Sequence, residues 1–166
     1  MPHVVSSVYS FVVSRVDTVV DQALDAIGTP DALSLRGKIA IANAKVVYRR
    51  FREIFLGTAF DEFKRRGARL QRPSWASTGI KNPAFSDVLY IDEFIGPHTI
   101  NTIPPATLNA FRDHGHVQPT LEAGEQDAEQ ALARLAKLGI DLGTITEKLL
   151  VEGIHAFTHS LDELRA

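Results

Sequence analysis

An α/β fold built on parallel strands is the class that this sequence predicts. Short apolar segments rich in β-branched and aromatic residues alternate along the chain with amphipathic segments of helical period. The strand-like segments are separated by long crossovers, and long crossovers require parallel pairing. Three such strands leave two open sheet edges and are too few to close a barrel, so the sequence also predicts unpaired backbone at those edges.

The first unit of the chain runs directly from a strand into a helix. Residues 4–14, VVSSVYSFVVS, are apolar and uncharged, which is typical of a strand buried on both faces. Asp17 or Thr18 is expected to cap the following helix, which ends at Gly28. Between residues 33 and 55, apolar residues recur at helical spacing with charged residues between them, and this pattern predicts one long amphipathic helix followed by a short helical segment.

The second and third units repeat this order. Residues 69–77 predict a strand, residues 86–96 a short helix, and residues 99–103 a third strand. Pro105 is well placed in the first turn of the next helix. Two further helices are predicted after Gly124 from their apolar period and charge placement.

Composition restricts the function classes. The chain has 166 residues, of which 45% are hydrophobic and 23% charged, as expected of a single globular domain over residues 1–166 with a sizeable core. A formal net charge of -2 gives no general attraction to nucleic acid or to an anionic membrane, so neither is an expected partner. The absence of cysteine excludes disulfides and thiolate chemistry and suits the cytoplasm. No apolar run approaches the roughly 20 residues that span a bilayer.

Polar side chains follow each predicted strand. In chain order they are Ser14, Arg15, Ser77, Thr78, Lys81 and Asn101. Because the carboxyl ends of parallel strands meet at one edge of a sheet, these side chains are expected to converge. A guanidinium, an ammonium and several hydroxyls in one place form an anion site, and phosphate is its natural occupant.

A less specific interpretation of the same residues is also open. In it, Arg15 forms a surface ion pair with Asp17 or Asp21, and Lys81 is a solvated loop residue. A metal site is not expected, because His155 and His159 have a spacing that can hold zinc but lack a third ligand.

Four stretches of the chain resemble transaldolase. They are SFVVSRVDTVVDQALDAIG, GKIAIANAKVVYRRF, RPSWASTGIKNPAFSDVLYIDEFIGPHTINTIPPATLNAFRDHG and LGIDLGTITEKLLVEGIHAF. The sequence is most similar to the longer bacterial transaldolases, including forms fused to glucose-6-phosphate isomerase. The resemblance covers nearly the whole chain, but it corresponds only to the later, C-terminal part of the family's barrel.

The resemblance implies a (β/α)8 barrel, no cofactor and no metal. In that family a lysine forms a Schiff base with a ketose phosphate, such as fructose 6-phosphate or sedoheptulose 7-phosphate, and a dihydroxyacetone unit moves to an aldose phosphate in the pentose phosphate pathway. By resemblance, Arg15 and Ser77 match residues that hold the sugar phosphate, and Lys81 lies near another cationic phosphate ligand. Ser14, Thr78 and Asn101 are expected to line the pocket.

The resemblance places the Schiff-base lysine in earlier barrel strands, which this chain lacks. Five lysines fall on predicted helical segments, namely Lys38, Lys45, Lys64, Lys137 and Lys148. An imine-forming lysine should project from a strand into a desolvated pocket, and Lys81 suits phosphate contact better. The chain is therefore expected to bind sugar phosphate without turnover. The alternative hypothesis is a non-catalytic α/β module that pairs its open sheet edges with a separate barrel half or with a second copy of itself.

Overall fold

A three-stranded parallel sheet organises the chain in the computed structural model, which describes residues 5–165. The strands are β1 (Val8–Val12), β2 (Arg72–Ala76) and β3 (Ile100–Asn101), in the order β1-β2-β3. Phe11 pairs with Trp75, and Trp75 pairs in turn with Asn101. The predicted α/β class with parallel strands is confirmed.

The observed strands occupy the centres of the predicted segments 4–14, 69–77 and 99–103, of which residue 4 lies outside the described residues. The strand β1 is shorter than predicted because helix α1 (Ser14–Ile27) begins immediately after Val13, whose own backbone is already helical. The prediction that Ser14 closes a strand is therefore wrong. Asp17 was expected as a possible cap but lies in the first turn of α1, where its carboxylate accepts a hydrogen bond from the distant Ala40 N–H.

The helices follow in chain order. They are α2 (Pro30–Leu33), α3 (Ile39–Phe51), α4 (Asp61–Arg65), α5 (Leu89–Glu93), α6 (Pro105–His114), α7 (Glu125–Lys137) and α8 (Leu142–Arg165), with a π-helical turn at Arg52–Leu56 and a 3-10 turn at Thr58–Phe60. The predicted continuous helix over residues 33–55 is thus interrupted. The break includes Gly37, which has φ +67° and whose added Cβ would lie 2.8 Å from the Phe85 ring, so both the backbone and the close packing require glycine there.

Trp75 lies at the centre of the core and is fully buried. Its ring packs edge-on against Phe11, with 5.7 Å between centroids, and in a tilted arrangement against Phe94, with 5.1 Å between centroids. Tyr90 continues this aromatic row by stacking on Phe94. Apolar residues of α1 and α3 complete the cluster, including Val20, Leu24, Ile39, Tyr48 and Phe51. The core thus holds β1, β2 and three helices in one arrangement and fixes where the strands end.

The sheet and the last helix both leave surface uncovered. Within residues 5–165, β1 and β3 each pair on one side only. The helix α8 packs against α1 through its first half, whereas Leu150 and Phe157 in its second half are 64% and 80% exposed. Over the same described residues, the helices are too short or too polar to cross a bilayer.

Candidate functional site

Backbone hydrogen bonds tie the carboxyl ends of the three strands together. The Val13 N–H donates to the Ala76 carbonyl at 2.9 Å, and the Ser14 N–H donates to the Ser77 carbonyl at 3.1 Å. On the other side of β2, the Thr102 N–H donates to the Trp75 carbonyl at 2.9 Å. The polar residues that follow β1 and β2 are therefore neighbours, as the sequence predicts for parallel strands.

The turn after β2 has an unusual backbone. Ser77 has φ 55°, in the left-handed region that non-glycine residues rarely adopt. The next residue, Thr78, is fully buried, and its hydroxyl donates to Asn101 Oδ1 at 2.8 Å. The hydrogen bond between Thr78 and Asn101 fixes this turn against the end of β3.

A cavity of about 340 Å³ opens beside this turn, and we call it the strand-end cavity. It is lined by residues from the start of α1, from the loop after β2 and from α5, namely Ser14, Asp17, Thr18, Asp21, Gln22, Asp25, Lys81, Asn82, Pro83, Phe85 and Tyr90. Ser14 is 2% exposed, and its Oγ lacks a hydrogen-bond partner within residues 5–165. Because a buried hydroxyl without a partner is costly, Ser14 is the wall residue best prepared to bond a polar ligand.

Asp17 forms the floor of the strand-end cavity. It is 2% exposed and accepts hydrogen bonds from the Tyr90 hydroxyl and from the Ala40 N–H, both at 2.7 Å. Burial raises the pKa of Asp17, and the two hydrogen bonds partly oppose that rise. Burial, reinforced by the neighbouring Asp17 charge, also raises the pKa of Tyr90, so the tyrosine remains a proton donor.

Asp21 lies one turn further along α1. Its two carboxylate oxygens accept from the Gly37 N–H at 3.0 and 3.2 Å. Burial raises its pKa to about 6, while the Gly37 bond and the nearby Arg36 guanidinium act in the opposite direction. Protonation of Asp21 near pH 6 reduces the negative charge around the strand-end cavity, whose wall also contains Lys81.

Arg15 is exposed and lines a different cavity, of about 540 Å³, which we call the edge cavity. Its walls come from β1, α1, α3 and α8 and consist of Ser10, Phe11, Val12, Arg15, Val16, Asn43, Thr146, Leu149, Leu150, Gly153, Ile154, Phe157 and Thr158. Within the described residues Arg15 forms no ion pair, since Asp17 and Asp21 are bonded elsewhere. The interpretation of Arg15 as a surface partner of these two carboxylates is therefore wrong.

The six predicted site residues are thus distributed as follows. Ser14 and Lys81 line the strand-end cavity, with Ser77 adjacent through its bond to Ser14. Thr78 and Asn101 bond each other, and Arg15 faces the edge cavity. A single anion site shared by Arg15 and Lys81 stays a prediction.

Sequence reasoning missed the network of Asp17, Tyr90 and Asp21. Two acidic residues four apart on a helix ordinarily indicate a solvated face, and the hydroxyl that bonds Asp17 lies 73 residues away. Burial of the carboxylates arises from the packing of α3 and α5 against α1, which local sequence spacing does not encode.

Metal-ligating side chains are dispersed. The part of the chain that the structure describes holds no group of three or more histidine or acidic side chains placed to bind a metal ion. His159 lies 3.3 Å from Glu163, on the exposed face of α8.

Comparison with known proteins places this geometry in a family context. The sequence profile described as "Transaldolase/Fructose-6-phosphate aldolase" matches residues 3–166, nearly the whole chain. Among curated proteins, the chain is 48% identical over 162 residues to a transaldolase of Mycobacterium ulcerans, 45% identical over 161 residues to one of Mycolicibacterium smegmatis, and 46% identical over 162 residues to one of Mycobacterium tuberculosis. Each match covers 96% of this chain but only 43% of the relative, so the chain spans less than half the length of these relatives.

Proposed function

Because the chain belongs to the transaldolase/fructose-6-phosphate aldolase family, we propose that it forms the sugar-phosphate-binding side of a transaldolase-type transferase. In the complete enzyme, a dihydroxyacetone unit passes from a ketose phosphate of the fructose 6-phosphate or sedoheptulose 7-phosphate class to an aldose phosphate through a lysine imine. We place this activity in cytoplasmic carbohydrate metabolism, and the absence of cysteine suits that compartment. The observation that carries the proposal is the family match over residues 3–166.

Phosphate binding is assigned to the carboxyl edge of the sheet. The α1 helix begins there at Ser14, and the positive end of its dipole favours an anion. Lys81 and Arg15 supply charge from the loop after β2 and from the first turn of α1. Neither cation forms an ion pair within residues 5–165, so neither has to leave an internal carboxylate before it binds a phosphate. The unpartnered Ser14 hydroxyl and the strained turn at Ser77 support the same location.

The imine-forming lysine is assigned to residues outside this chain. The three strands β1, β2 and β3 contain no lysine in the range that the structure describes. Lys45 pairs with Glu93 at 2.8 Å and donates to the Ala123 carbonyl at 3.1 Å, so its ammonium group is already used in structural contacts. Lys81 is exposed on a loop, whereas an imine-forming lysine should project from a strand into a desolvated pocket.

Borohydride trapping tests this division of roles. Incubating the chain with fructose 6-phosphate and sodium borohydride is expected to leave its intact mass unchanged, because the described strands β1, β2 and β3 carry no lysine that could lie in a desolvated position. A full-length transaldolase, such as the Mycobacterium tuberculosis relative, is treated in parallel as the positive control and is expected to gain the mass of the reduced adduct. A stable adduct on Lys81 would contradict the assignment of the nucleophile to residues outside this chain.

Substitution of Arg15 tests the phosphate site itself. Arg15→Ala is expected to weaken binding of fructose 6-phosphate by roughly 1.5–3 kcal/mol, since a charged hydrogen bond to the phosphate is lost. Isothermal titration calorimetry measures the effect. Arg65→Ala is the matched control, because Arg65 is also exposed but ends α4, ahead of the amino end of β2. An unchanged affinity in Arg15→Ala would remove Arg15 from the site.

A second function rests on the open sheet edges. Within residues 5–165, β1 and β3 present unpaired backbone on their outer sides, and the edge cavity lies against β1. These features favour a non-catalytic α/β module that joins a separate barrel half or another copy. The two functions are separated by ligand binding, because a pairing module has no reason to bind fructose 6-phosphate more tightly than unphosphorylated fructose.

A further inference from the structure

The segment that joins α6 to α7 runs beside α5, and we call residues 114–121 the strap. At its far end the N–H groups of Thr120 and Leu121 donate to the Ile95 carbonyl at 3.1 and 3.2 Å, and the Leu121 side chain is fully buried. Its near end, at residues 114 and 116, is exposed, as are residues 117–119. Apolar burial therefore fixes the far end, whereas polar contacts must hold the near end.

His114 makes the first contact of the strap, and both of its ring nitrogens face a carboxylate. Nε2 lies 2.9 Å from Oδ1 of Asp87, in the loop before α5, and Nδ1 lies 3.1 Å from Oδ2 of Asp113. A carboxylate oxygen accepts hydrogen bonds and does not donate them, and a neutral imidazole has one N–H to donate. Both contacts are therefore hydrogen bonds only when His114 carries two ring protons and a positive charge.

The backbone makes the next contacts of the strap. The His116 N–H donates to Oδ1 of Asp92 in α5 at 2.9 Å, while the His116 ring is further away, with Nδ1 3.6 Å from Asp92 Oδ2. The Gly115 N–H donates to the Phe111 carbonyl at 2.9 Å and closes the last turn of α6. These two N–H groups follow His114 directly, so their protection from solvent reports whether the near end of the strap is attached.

We propose that the near end of the strap is a proton-operated attachment, which binds Asp87 while His114 is an imidazolium and detaches when the ring loses a proton. Within residues 5–165, the charged groups that face His114 are Asp87, from the loop before α5, and Asp113, from α6. Their hydrogen bonds, reinforced by their charges, raise the pKa of His114 above its ordinary value. The attachment is therefore complete below the ordinary histidine pKa of about 6.5 and is lost as pH rises through the higher folded-state value.

The strap is separate from the proposed sugar-phosphate site. His114, Asp87 and Asp113 line neither the strand-end cavity nor the edge cavity. The helix α5 beside the strap does supply Tyr90, whose hydroxyl bonds Asp17 in the floor of the strand-end cavity. Detachment thus removes a restraint at the start of a helix that borders this cavity, and it does so whether or not the cavity binds a phosphate.

Hydrogen exchange of the Gly115 and His116 amides, followed by NMR from about pH 5.5 to about pH 8.5, tests the attachment. Each rate is divided by the rate of an unstructured peptide at the same pH, which removes the intrinsic pH dependence of exchange. Wild-type protection is expected to fall roughly threefold across this range, because the pair is exposed and of ordinary strength. His114→Gln carries no charge and is expected to be less protected at the acidic end, with little further fall. Constant wild-type protection, or an equal fall in His114→Gln, would overturn the proposal.

His159→Gln is the matched control for this measurement. His159 also lies beside a carboxylate, Glu163 at 3.3 Å, but through one ring nitrogen and on the exposed face of α8. Its substitution is expected to leave the protection of the Gly115 and His116 amides unchanged at every pH. A loss as large as that in His114→Gln would show that histidine charge acts on the whole chain rather than through Asp87, and would overturn the attachment.

Titration of the His114 ring by NMR provides a second measurement that does not depend on exchange rates. Its midpoint is expected above the ordinary histidine value of about 6.5 in the wild-type chain. Asp87→Asn keeps an oxygen acceptor but removes the charge, so it is expected to move the midpoint back towards that value. The Asp87 side chain is 64% exposed, so this variant is expected to fold normally. A wild-type midpoint at or below about 6.5, or one that Asp87→Asn leaves in place, would overturn the contact itself.

Discussion

Trp75→Ala is expected to lower the free energy of unfolding by about 3–5 kcal/mol, the largest effect of any single substitution considered. Trp75 is fully buried in the middle strand of the sheet and contacts both Phe11 and Phe94. Its removal leaves a cavity that the backbone of β1, β2 and β3 cannot fill without disturbing the register of the sheet. Chemical unfolding followed by circular dichroism is the measurement, because Trp75 is the only tryptophan and its fluorescence is lost with it.

Two companion variants give this prediction its control. Phe63→Ala removes an aromatic ring that is 52% exposed and is expected to cost less than about 1 kcal/mol. Trp75→Phe keeps most of the ring and removes the indole N–H, which has no partner within residues 5–165 and is therefore costly to bury. It is expected to destabilise less than Trp75→Ala. Equal losses in Trp75→Ala and Phe63→Ala would contradict the central position of Trp75 in the core. Comparisons are made at one protein concentration, since self-association would shift apparent stability.

The sequence is sufficient to predict the parallel α/β class, because strand-like and helical periods alternate over distances that only crossovers explain. It is insufficient to predict where β1 ends. The segment after Val12 is as apolar as the strand itself, and what begins the helix at Ser14 is the bonding of Asp17 to Ala40 and Tyr90, which lie in distant parts of the chain. Long-range contacts override local preference at this junction.

The chemistry of the candidate site is also easier to predict than its division into cavities. Polar residues after each strand are visible in the sequence, and the structure brings Ser14 beside Ser77. Successive residues nevertheless point in different directions, by about 100° in a helix and to opposite faces in a strand. Either geometry separates Ser14 from Arg15, so their adjacency in sequence does not imply a shared pocket. One ligand can therefore contact both Arg15 and Lys81 only if it extends from the edge cavity to the strand-end cavity across the first turn of α1.

The surroundings of Arg15 depend on whether another strand pairs with the open edge of β1. The chain accounts for 43% of the length of the Mycobacterium ulcerans transaldolase that it matches. Arg15 faces the edge cavity along the unpaired side of β1. A strand placed against β1 would add a wall to that cavity and alter the field around Arg15. Phosphate binding measured on this chain therefore reports the contribution of its own cations, Arg15 and Lys81. The wild-type chain and the Arg15→Ala variant can be compared directly, because β1 has the same open edge in both.

Asp17→Ala is expected to destabilise the chain by about 3 kcal/mol, because it leaves the buried Tyr90 hydroxyl and the Ala40 N–H without acceptors. Asp25→Ala is the matched control on the same helix. Its carboxylate is half exposed and pairs with Arg36 at 3.2 Å, so its loss is expected to cost less than about 1 kcal/mol. Denaturant unfolding of both variants measures the difference. Losses of similar size would show that the buried bonds of Asp17 do not hold α1 in place.

A double-mutant cycle and a pH series identify the origin of the Asp17 effect. Tyr90→Phe removes the same hydrogen bond from its other side, so the Asp17→Ala and Tyr90→Phe losses should add to more than the loss in the double variant. Burial raises the pKa of Asp17 in the folded chain above its unfolded value, so the folded state takes up a proton first as pH falls. Wild-type stability should therefore rise relative to the neutral isostere Asp17→Asn as pH is lowered through that folded-state pKa. A difference between wild type and Asp17→Asn that stays constant across this range would show that Asp17 does not titrate in the folded state, and the carboxylate would then act only through its two hydrogen bonds.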